Sequence, residues 1–216
     1  KKIITKFLKS LHNQTIMQHY FSENQTSPLN PHKINARLRG RLFEFWTGSG
    51  VFSSRKIDKG STLLTDSAII TTGKVLDMGC GIGVIGISIA KSFPQTEVLM
   101  TDINKRAVRL TKRNIKLNNI QNAEARHGNL FESIKDTEKG KFNTILINPP
   151  QKAGKKLCFE MIDKSYDYLE KKGTLQIVAR HNKGGKELSK RMHEAFGNVK
   201  DVAKKGGYRV YISEKD

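Results

Sequence analysis

From about residue 74 onward, short apolar runs alternate with longer segments whose apolar residues recur at helical spacing. The short runs predict strands and the longer segments predict helices. The predicted strands are 74–78, 97–101, 123–127, 142–147, 173–179, 199–203 and 208–213. The predicted helices are 84–91, 104–117, 156–171 and 186–196, with Asn104 as an N-cap and Gly173 as a C-cap.

This alternation of strands and helices predicts an α/β fold. We expect a Rossmann-like, doubly wound sheet of seven strands with helices on both faces. The last two strands flank the sequence KKGG, which is too short for a crossover connection. The last strand should therefore run antiparallel to its neighbours.

The first 48 residues predict a small N-terminal extension rather than part of the sheet. Apolar residues at helical spacing predict a helix within 1–21, and the Ser-, Asn- and Pro-rich segment 22–36 predicts a loop. The alternating sequence RLFEFWT at 41–47, followed by TGSG and VFSS, predicts a hairpin, and a short helix should begin at Thr62. We place the domain boundary between residues 48 and 49. The extension, 1–48, contains this helix, the linker and the start of the hairpin, and the main domain is 49–216.

The charge of the chain indicates a polyanionic partner. Lys and Arg number 39 against 20 Asp and Glu, a net charge of +19. Such a balance favours nucleic acid, because basic side chains bind phosphates and release counterions. The alternative is that the excess lysine only solvates the surface.

Cysteine usage and hydropathy favour a reducing, cytoplasmic setting. Cys80 and Cys158 lie in unrelated contexts, and the sequence has no C-x-x-C pair. No apolar run reaches the roughly 18 residues of a membrane span, and polar residues interrupt the apolar start of the chain. We therefore expect no membrane span, no signal peptide and, from the absence of zinc-ligand spacing, no metal.

The sequence VLDMGCGIGVIG at 75–86 contains a literal G-x-G-x-x-G match. That match begins four residues after the strand's Asp77, later than a dinucleotide fingerprint would. A better description is D-x-G-x-G-x-G, formed by Asp77, Gly79, Gly81 and Gly83. An acid would be unfavourable beside a pyrophosphate, and it suits a ligand with a cationic amino group. The glycines let the backbone approach that ligand closely.

Two further polar positions follow predicted strands and should lie at the same sheet edge. Asp102 follows the second strand, where an acid suits two ribose hydroxyls, or alternatively the start of a helix. Asn148, Pro149, Pro150 and Gln151 follow the strand 142–147. The Asn oxygen and a rigid carbonyl provide two acceptors for the two N–H groups of an exocyclic amine. The alternative is a turn that only ends the strand.

The motifs VLDMGCGIGVIG, TDIN and LINPPQ, in this order, resemble class I S-adenosylmethionine-dependent methyltransferases. The stretches FWTGSGVFSSRKIDKGSTLL, DINKRAVRLTKRNIKLNN and AFGNVKDVAKKGGYRVYISEK are similar to the catalytic domain of small-subunit ribosomal RNA guanine-N2 methyltransferases of the short, single-domain archaeal type. The resemblance covers roughly 19–216 and implies that 49–216 forms the S-adenosylmethionine-dependent methyltransferase domain.

The resemblance also implies roles for matching residues. The glycine-loop residues Asp77, Gly79, Gly81 and Gly83 would surround the methionine part of the cofactor. The adenosine part would contact Asp102, Ile103, Asn129 and Leu130, and the segment with Asp58 and Ser61 would close over the cofactor. The substrate amine would be received by Asn148, Pro149 and Pro150.

Two positions depart from the family pattern. Asn129 stands where many relatives have Asp, and its oxygen can still accept a hydrogen bond from the adenine amino group. Gln151 stands where many relatives have an aromatic residue that would stack on a flipped base. The aromatic candidates to replace it are Phe52, Trp46 and Tyr208, each of which is also a candidate core residue.

Basic residues should surround the substrate entrance, because loops after the later strands lie at the same sheet edge. The candidate RNA-binding residues in these loops are Gln151, Lys152, Lys155, Lys156, Arg180, Lys183, Lys186, Lys204, Lys205 and Arg209. The segment 32–41 is a candidate second RNA contact. The cations within 105–116 share one helix and are interpreted as a solvated face, and His181 is interpreted as a solvated or structural histidine.

The function predicted from the sequence is methyl transfer from S-adenosylmethionine to the exocyclic amine of a base in structured RNA, with guanine N2 of small-subunit ribosomal RNA as the target. Alternatives are transfer to tRNA, to adenine N6 or to a protein glutamine amide. A non-catalytic module that binds the cofactor and RNA is an alternative of another class, and a NAD-dependent oxidoreductase is the literal interpretation of GIGVIG. The sequence makes no prediction about oligomeric state.

Overall fold

The computed structural model describes residues 22–25 and 27–216, apart from the side chain of Lys152. The helix predicted within 1–21 lies outside the described residues. An antiparallel hairpin of β1, His32–Leu38, and β2, Arg41–Thr47, comes first. Arg39 and Gly40 both have positive φ, 48° and 75°, as a two-residue hairpin turn requires.

The sequence-based prediction of this hairpin was wrong in its partner strand. Strand β2 pairs with β1, most of which lies in the segment 22–36 predicted to be a loop, and not with residues beyond the TGSG sequence. The inward residues of β1, Ile34, Ala36 and Leu38, alternate with exposed polar and basic ones, but this short pattern adjoins a Ser-, Asn- and Pro-rich stretch that favours a loop. The Arg39-Gly40 turn also lacks the Asn or Asp that marks most such turns.

The main sheet follows the predicted alternation. Its elements are α1 Lys59–Ser67, β3 Lys74–Met78, α2 Val84–Ser92, β4 Glu97–Asp102, α3 Lys105–Leu117, β5 Ala123–His127, β6 Phe142–Ile147, α4 Lys155–Tyr168, β7 Leu169–Arg180, α5 Lys186–Phe196, β8 Lys200–Lys205 and β9 Tyr208–Glu214. In the described chain, seven strands form one sheet in the order β5-β4-β3-β6-β7-β9-β8. Strand β9 is antiparallel to both neighbours, which confirms the predicted fold class.

The end of α4 differs from the prediction. The helix ends at Tyr168 and β7 begins at Leu169, so Gly173 lies inside the strand and not at a helix end. Leu169 continues the helical apolar spacing, but it is fully buried in extended conformation and pairs with Phe142. The burial of Leu169 in the sheet core therefore outweighs the local helical pattern.

Two apolar clusters cover the two faces of the sheet. One contains Leu64, Ile87 and Val108 from α1, α2 and α3, and the other contains Ile162 and Met192 from α4 and α5. The hairpin contributes its buried residues Leu38, Phe43 and Phe45 to the first cluster. The domain boundary between residues 48 and 49 stays a prediction.

Buried asparagines bind the hairpin along α3. Asn114 accepts a hydrogen bond from the Trp46 backbone N–H at 2.7 Å and donates to the Trp46 carbonyl at 3.0 Å. Asn118 donates to the Glu44 carbonyl at 2.8 Å. These bonds pair backbone N–H and C=O groups along the edge of β2. The segment that follows β2, 48–58, lies at the carboxyl ends of the sheet strands, where Gly50 and Asp58 bond Asn104 and Asn148. None of the helices in the described ranges is long and apolar enough to span a membrane.

Candidate functional site

A cavity of about 930 Å³, open to solvent, lies at the carboxyl ends of β3, β4, β5 and β6. Many of the residues predicted to bind cofactor or substrate line it: Gly79, Gly81, Asp102, Ile103, Asn129, Leu130, Asn148, Pro149 and Pro150. The parallel sheet brings these residues together from four strand ends.

The glycine loop is tied to the neighbouring strand by its backbone. The N–H groups of Gly79 and Cys80 donate to the Thr101 carbonyl at 2.8 and 3.0 Å. Gly81 has a φ of 58° and donates its N–H to Asp102 Oδ2 at 2.8 Å. Gly83 does not line the cavity. A Cβ at this position would lie 2.8 Å from the side chains of Ile87 in α2 and Thr111 in α3. The glycine permits the packing of these two helices.

Asp77 lies behind the glycine loop and does not line the cavity. Its side chain is buried, and Oδ2 accepts a hydrogen bond from the Gly86 N–H at 2.8 Å. This bond satisfies one of the free N–H groups in the first turn of α2. Burial raises the pKa of Asp77 to about 7. Contact between Asp77 and a cofactor stays a prediction.

Asp102 lines the cavity and accepts two backbone hydrogen bonds. Its Oδ2 accepts from the Gly81 N–H, and its Oδ1 accepts from the Asn104 N–H, both at 2.8 Å. A carboxylate offers about four acceptor positions, so about two stay available toward the cavity. Burial raises the pKa of Asp102 to about 6.

Asn148 is oriented by two residues that come from the N-terminal side of the sheet. Its Nδ2 donates to Asp58 Oδ2 at 3.0 Å and to Ser61 Oγ at 2.9 Å. An ionised carboxylate only accepts, so the amide nitrogen must face Asp58. Oδ1 then has no hydrogen-bond donor within the described chain, and Asn148 lines the cavity.

Asp58 is itself fixed by α1. It is the N-cap of that helix, and its Oδ2 also accepts from the Ser61 N–H at 2.9 Å. The resemblance placed Asp58 and Ser61 at the cofactor, whereas their observed hydrogen bonds reach Asn148. The D-x-x-S pattern at 58–61 indicates a helix cap in the sequence. Only the fold shows that this cap lies against the Asn-Pro-Pro loop.

The Asn-Pro-Pro loop has a defined turn. Pro150 has φ −74° and ψ 73°, and the Gln151 N–H donates to the Pro149 carbonyl at 2.8 Å. This is an inverse γ-turn, which a proline at the central position stabilises. The Pro149 carbonyl oxygen keeps a second lone pair for another donor.

Of the three aromatic candidates, Phe52 lies at the cavity. It is 48% exposed. It also lines a smaller adjoining cavity together with Ser61, Gly81 and Asn148. Trp46 packs under the Arg113 guanidinium, 3.6 Å from the ring centroid. Tyr208 packs against Gly60 and lies below Arg180.

Gln151 does not line the cavity. Its Oε1 accepts from the Arg180 N–H and its Nε2 donates to the Lys183 carbonyl, each at 3.0 Å. These bonds attach the Asn-Pro-Pro loop to the segment that follows β7. The side chain therefore has a structural role here, and contact with RNA stays a prediction.

The predicted basic residues lie near the carboxyl edge, and several have acidic partners. Lys155 pairs with Glu187 at 3.4 Å. Arg209 and Lys204 both pair with Asp201, at 2.7 and 3.6 Å. Arg180 and Lys205 lie beside Tyr208 in the sheet register. Contact of Lys152, Lys155, Arg180, Lys204, Lys205 and Arg209 with RNA stays a prediction.

The model of the family named methyltransferase small domain matches residues 42–212. The chain belongs to this family. The family carries the Rossmann-like methyltransferase fold that the sheet order shows. In the described chain, no group of three or more His, Cys, Asp or Glu residues lies close enough to hold a metal ion.

Individual relatives agree with this membership. The chain is 37% identical over 200 residues to the uncharacterized protein YbxB of Bacillus subtilis, covering 92% of this chain and 98% of YbxB. It is 34% identical over 167 residues to ribosomal RNA small subunit methyltransferase C of Hamiltonella defensa, covering 75% of this chain and 47% of that protein. The chain thus spans about half the length of the second relative. The archaeal type inferred from the resemblance stays a prediction.

A solved structure shows the same fold. The 16S rRNA N2 methyltransferase RsmC of T. thermophilus, in complex with AdoMet and guanosine, superposes with a TM-score of 0.74 at 23% identity. The superposition covers 89% of this chain and 53% of RsmC.

Proposed function

We propose that this chain transfers a methyl group from S-adenosylmethionine to the exocyclic amine of a base in structured RNA, with guanine N2 of small-subunit ribosomal RNA as the target. The observation that carries the proposal is the orientation of Asn148. Asp58 and Ser61 hold its amide nitrogen, so its Oδ1 is the acceptor that remains at the cavity.

The cavity residues suit the cofactor. Asp102 keeps acceptor positions for the two ribose hydroxyls. Ile103 and Leu130 provide apolar walls for an adenine ring, and Asn129 provides a polar group beside them. The adjoining smaller cavity, between the glycine loop and Ser61, suits the amino-acid part. When bound there, S-adenosylmethionine supplies an electrophilic methyl group.

The protein's contribution to the reaction is to position the amine. Asn148 Oδ1 and the Pro149 carbonyl accept its two N–H groups, which directs the nitrogen lone pair toward the methyl group. The same two acceptors stabilise positive charge that develops on the nitrogen. The proton becomes acidic once the nitrogen is methylated, so a strong general base is unnecessary. His181 is consistent with this account, since its Nδ1 lies 2.8 Å from Tyr211 Oη in a structural hydrogen bond.

Two features support RNA as the substrate. The net charge of +19 favours a polyanion, and several relatives at about one-third identity are named ribosomal RNA small subunit methyltransferase C. The proposal includes a cytoplasmic location and requires neither a metal nor a membrane.

A transfer assay tests the proposal. Total RNA and ribosomal subunits from cells that lack the gene are incubated with the protein and methyl-labelled S-adenosylmethionine, and the labelled nucleoside is then identified. Labelled N2-methylguanosine in small-subunit RNA is the expected result. Label in tRNA, in adenine or in protein glutamine would replace the proposed substrate. Cofactor binding without any label would instead indicate a non-catalytic module.

Two variants make the assay specific for the site. Asn148→Ala should lose the label while it still binds the cofactor. Gln95→Ala removes an exposed amide before β4, at the opposite edge of the sheet, and should retain full transfer. Equal transfer by both variants would contradict the role of Asn148.

A further inference from the structure

The hairpin and α3 form one basic surface. The β2 strand is bound along α3 by Asn114 and Asn118, which brings the exposed face of the hairpin beside the exposed face of the helix. We define the hairpin–α3 surface by its exposed cations: Lys33, Arg37, Lys105, Arg109, Lys112, Arg113 and Lys116. The sequence alone predicts an RNA contact for the hairpin segment and a solvated face for the helix.

The charge pattern of α3 opposes its own stability. Lys105–Leu117 contains six basic residues and no acidic one. Like charges occur at i,i+4 spacing, for example Arg109 with Arg113 and Lys112 with Lys116, and each such pair destabilises a helix. Lys105 in the first turn also opposes the helix dipole. The repulsion between these like charges destabilises the helix and brings no benefit if the surface is only solvated. A bound polyanion would neutralise the charges and so remove the repulsion.

The other exposed helices have a different pattern. In α4, Lys164 pairs with Glu160 at 2.7 Å. In α5, Lys190 pairs with Glu194 at 3.7 Å, also at i,i+4 spacing. The solvated faces of α4 and α5 therefore combine both signs of charge, and that of α3 does not.

Most cations of the hairpin–α3 surface have no acidic partner. Lys33 pairs with Glu44 at 2.7 Å, and Lys105 pairs with Glu23 at 2.8 Å. The five others make no ion pair with any residue of the described chain: Arg37, Arg109, Lys112, Arg113 and Lys116. These unneutralised charges are available to an external anion.

A groove of about 540 Å³ lies on this surface. Leu29 and Leu110 form apolar walls, and Arg109 and Arg113 line the same groove. Apolar walls with charges of one sign concentrate the electrostatic field at the groove. Arg113 is held by its stacking on Trp46, 3.6 Å from the ring centroid, which leaves its planar N–H groups available for a bidentate phosphate contact.

The surface begins beside the cavity of the candidate site. Asn104, the N-cap of α3, lines that cavity, and Lys105 is the next residue. The helix continues away from the cavity for 13 residues, or about 20 Å. A phosphate backbone bound along α3 therefore reaches the edge of the cavity.

We propose that the hairpin–α3 surface binds the phosphate backbone of the RNA whose base enters the cavity. The proposal rests on the proposed function and extends it with a binding surface separate from the catalytic residues. It predicts that cations of α3 control RNA affinity, while the rate at saturating RNA depends on Asn148 and its neighbours.

The test compares two variants with the same change of charge. The first combines Arg109→Ala, Lys112→Ala, Arg113→Ala and Lys116→Ala. The control combines Lys135→Ala, Lys141→Ala, Lys171→Ala and Lys200→Ala, exposed residues that make no ion pair in the described chain. Affinity for small-subunit RNA is measured by filter binding over a range of salt concentrations, and transfer is measured at saturating RNA.

The α3 variant should bind RNA at least ten-fold more weakly, with unchanged kcat. The slope of log affinity against log salt should become shallower by about 3, because each phosphate contact contributes about 0.7–0.9. The control should resemble the wild-type protein. A charge-preserving variant with Arg109→Lys, Lys112→Arg, Arg113→Lys and Lys116→Arg should keep most of the wild-type slope, and cofactor titration confirms that each variant is folded.

Several results would overturn the inference. Equal losses in the α3 variant and the control would assign RNA affinity to net charge alone. If RNA binding and methyl transfer do not change in the α3 variant, the hairpin–α3 surface does not bind the RNA, and the proposed function still stands. Wild-type protein that binds no RNA would overturn both proposals. Binding to phosphatidylserine vesicles that depends on the α3 cations, with RNA binding unaffected, would assign the surface to anionic lipid.

Discussion

Asp58 Oδ2 lies 3.0 Å from Asn148 Nδ2, a contact between residues 90 positions apart in the chain. The same carboxylate oxygen caps α1 through the Ser61 N–H. One acidic side chain thus fixes a helix start and the amide of the proposed amine-binding residue. This makes the helix cap part of the candidate site.

Asp58→Asn should lower kcat with little effect on stability. Asparagine is an equally good N-cap. Its amide can donate as well as accept, so residue 58 would no longer force the amide nitrogen of Asn148 to face it. We expect kcat to fall by roughly 10–100-fold, since small errors of position strongly affect near-attack geometry. The KM for the cofactor should change little. Asp66→Asn makes the same charge change on the same helix, and it should keep wild-type kcat. Wild-type kcat in Asp58→Asn would show that this contact does not orient Asn148.

Cofactor affinity should decrease as the pH falls through about 6. The pKa of Asp102 is raised to about 6 by burial, and ribose hydroxyls donate to the ionised form. Calorimetric titration of S-adenosylmethionine between pH 5 and 8, on the order of two units around this pKa, measures the effect. Asp102→Asn should bind more weakly at pH 8, by roughly ten-fold, and lose this pH dependence. A pH-independent affinity in the wild-type protein would contradict the role assigned to Asp102.

Asp77→Asn should stabilise the protein at alkaline pH. The pKa of Asp77 in the folded protein is about 7, above the usual 3.8, so the folded state keeps a proton that the unfolded chain loses between these values. The stability associated with that proton is complete below pH 3.8 and is lost as the pH rises to about 7. The Asp77→Asn variant would keep an acceptor for the Gly86 N–H without a buried charge, so the free energy of unfolding at pH 8 should rise by about 1–4 kcal/mol.

Thermal and denaturant unfolding at several pH values checks this. The difference in stability between Asp77→Asn and the wild-type protein should grow from pH 4 to pH 7, on the scale of about 1.4 kcal/mol per pKa unit. The charge of Asp102 also helps to raise the pKa of Asp77, so the difference between the two proteins includes this interaction. Asp136→Asn, at an exposed position, serves as the control. A stability difference that does not change with pH would refute the raised pKa of Asp77.

Phe52→Ala should raise the KM for RNA. The ring is half exposed at the cavity, and stacking of a base on an aromatic ring contributes about 1–3 kcal/mol. We expect kcat/KM for RNA to fall by roughly 10–100-fold, and Phe52→Trp to keep most of it. Ile69→Ala removes another exposed apolar side chain and should have no effect. A loss confined to cofactor affinity would place Phe52 over the cofactor instead of the base.

The sequence predicted the elements whose local pattern and tertiary environment agree. The strand 142–147 and the helix 186–196 have these bounds in the structure as well. The prediction failed where tertiary contacts dominate. Strand β1 depends on pairing with β2, and Leu169 depends on burial beside Phe142. The alternation of polar and apolar residues in β1 does not indicate that β1 pairs with β2. The helical spacing of Leu169 likewise does not indicate that Leu169 pairs with Phe142.

The candidate site shows the same division. The order of motifs placed Gly81, Asp102 and Asn148 at one sheet edge, because parallel strands end at the same side. The contact of Asp58 with Asn148 and the internal bonds of Gln151 depend on side-chain directions across distant loops. The joining of the hairpin to α3 likewise follows from Asn114 and Asn118, whose buried hydrogen bonds have no signature in the sequence.

The most direct test of the central claim removes from the RNA the amino group that is proposed to receive the methyl group. Once labelling has located the modified nucleotide, a transcript with guanosine at that position is compared with one that has inosine, which lacks only the exocyclic 2-amino group. Single-turnover transfer is measured with wild-type protein and bound cofactor. We predict labelling of the guanosine transcript and none of the inosine transcript, with similar affinity for both. Equal labelling of both transcripts would show that the methyl group goes to another atom and would contradict the proposed role of Asn148.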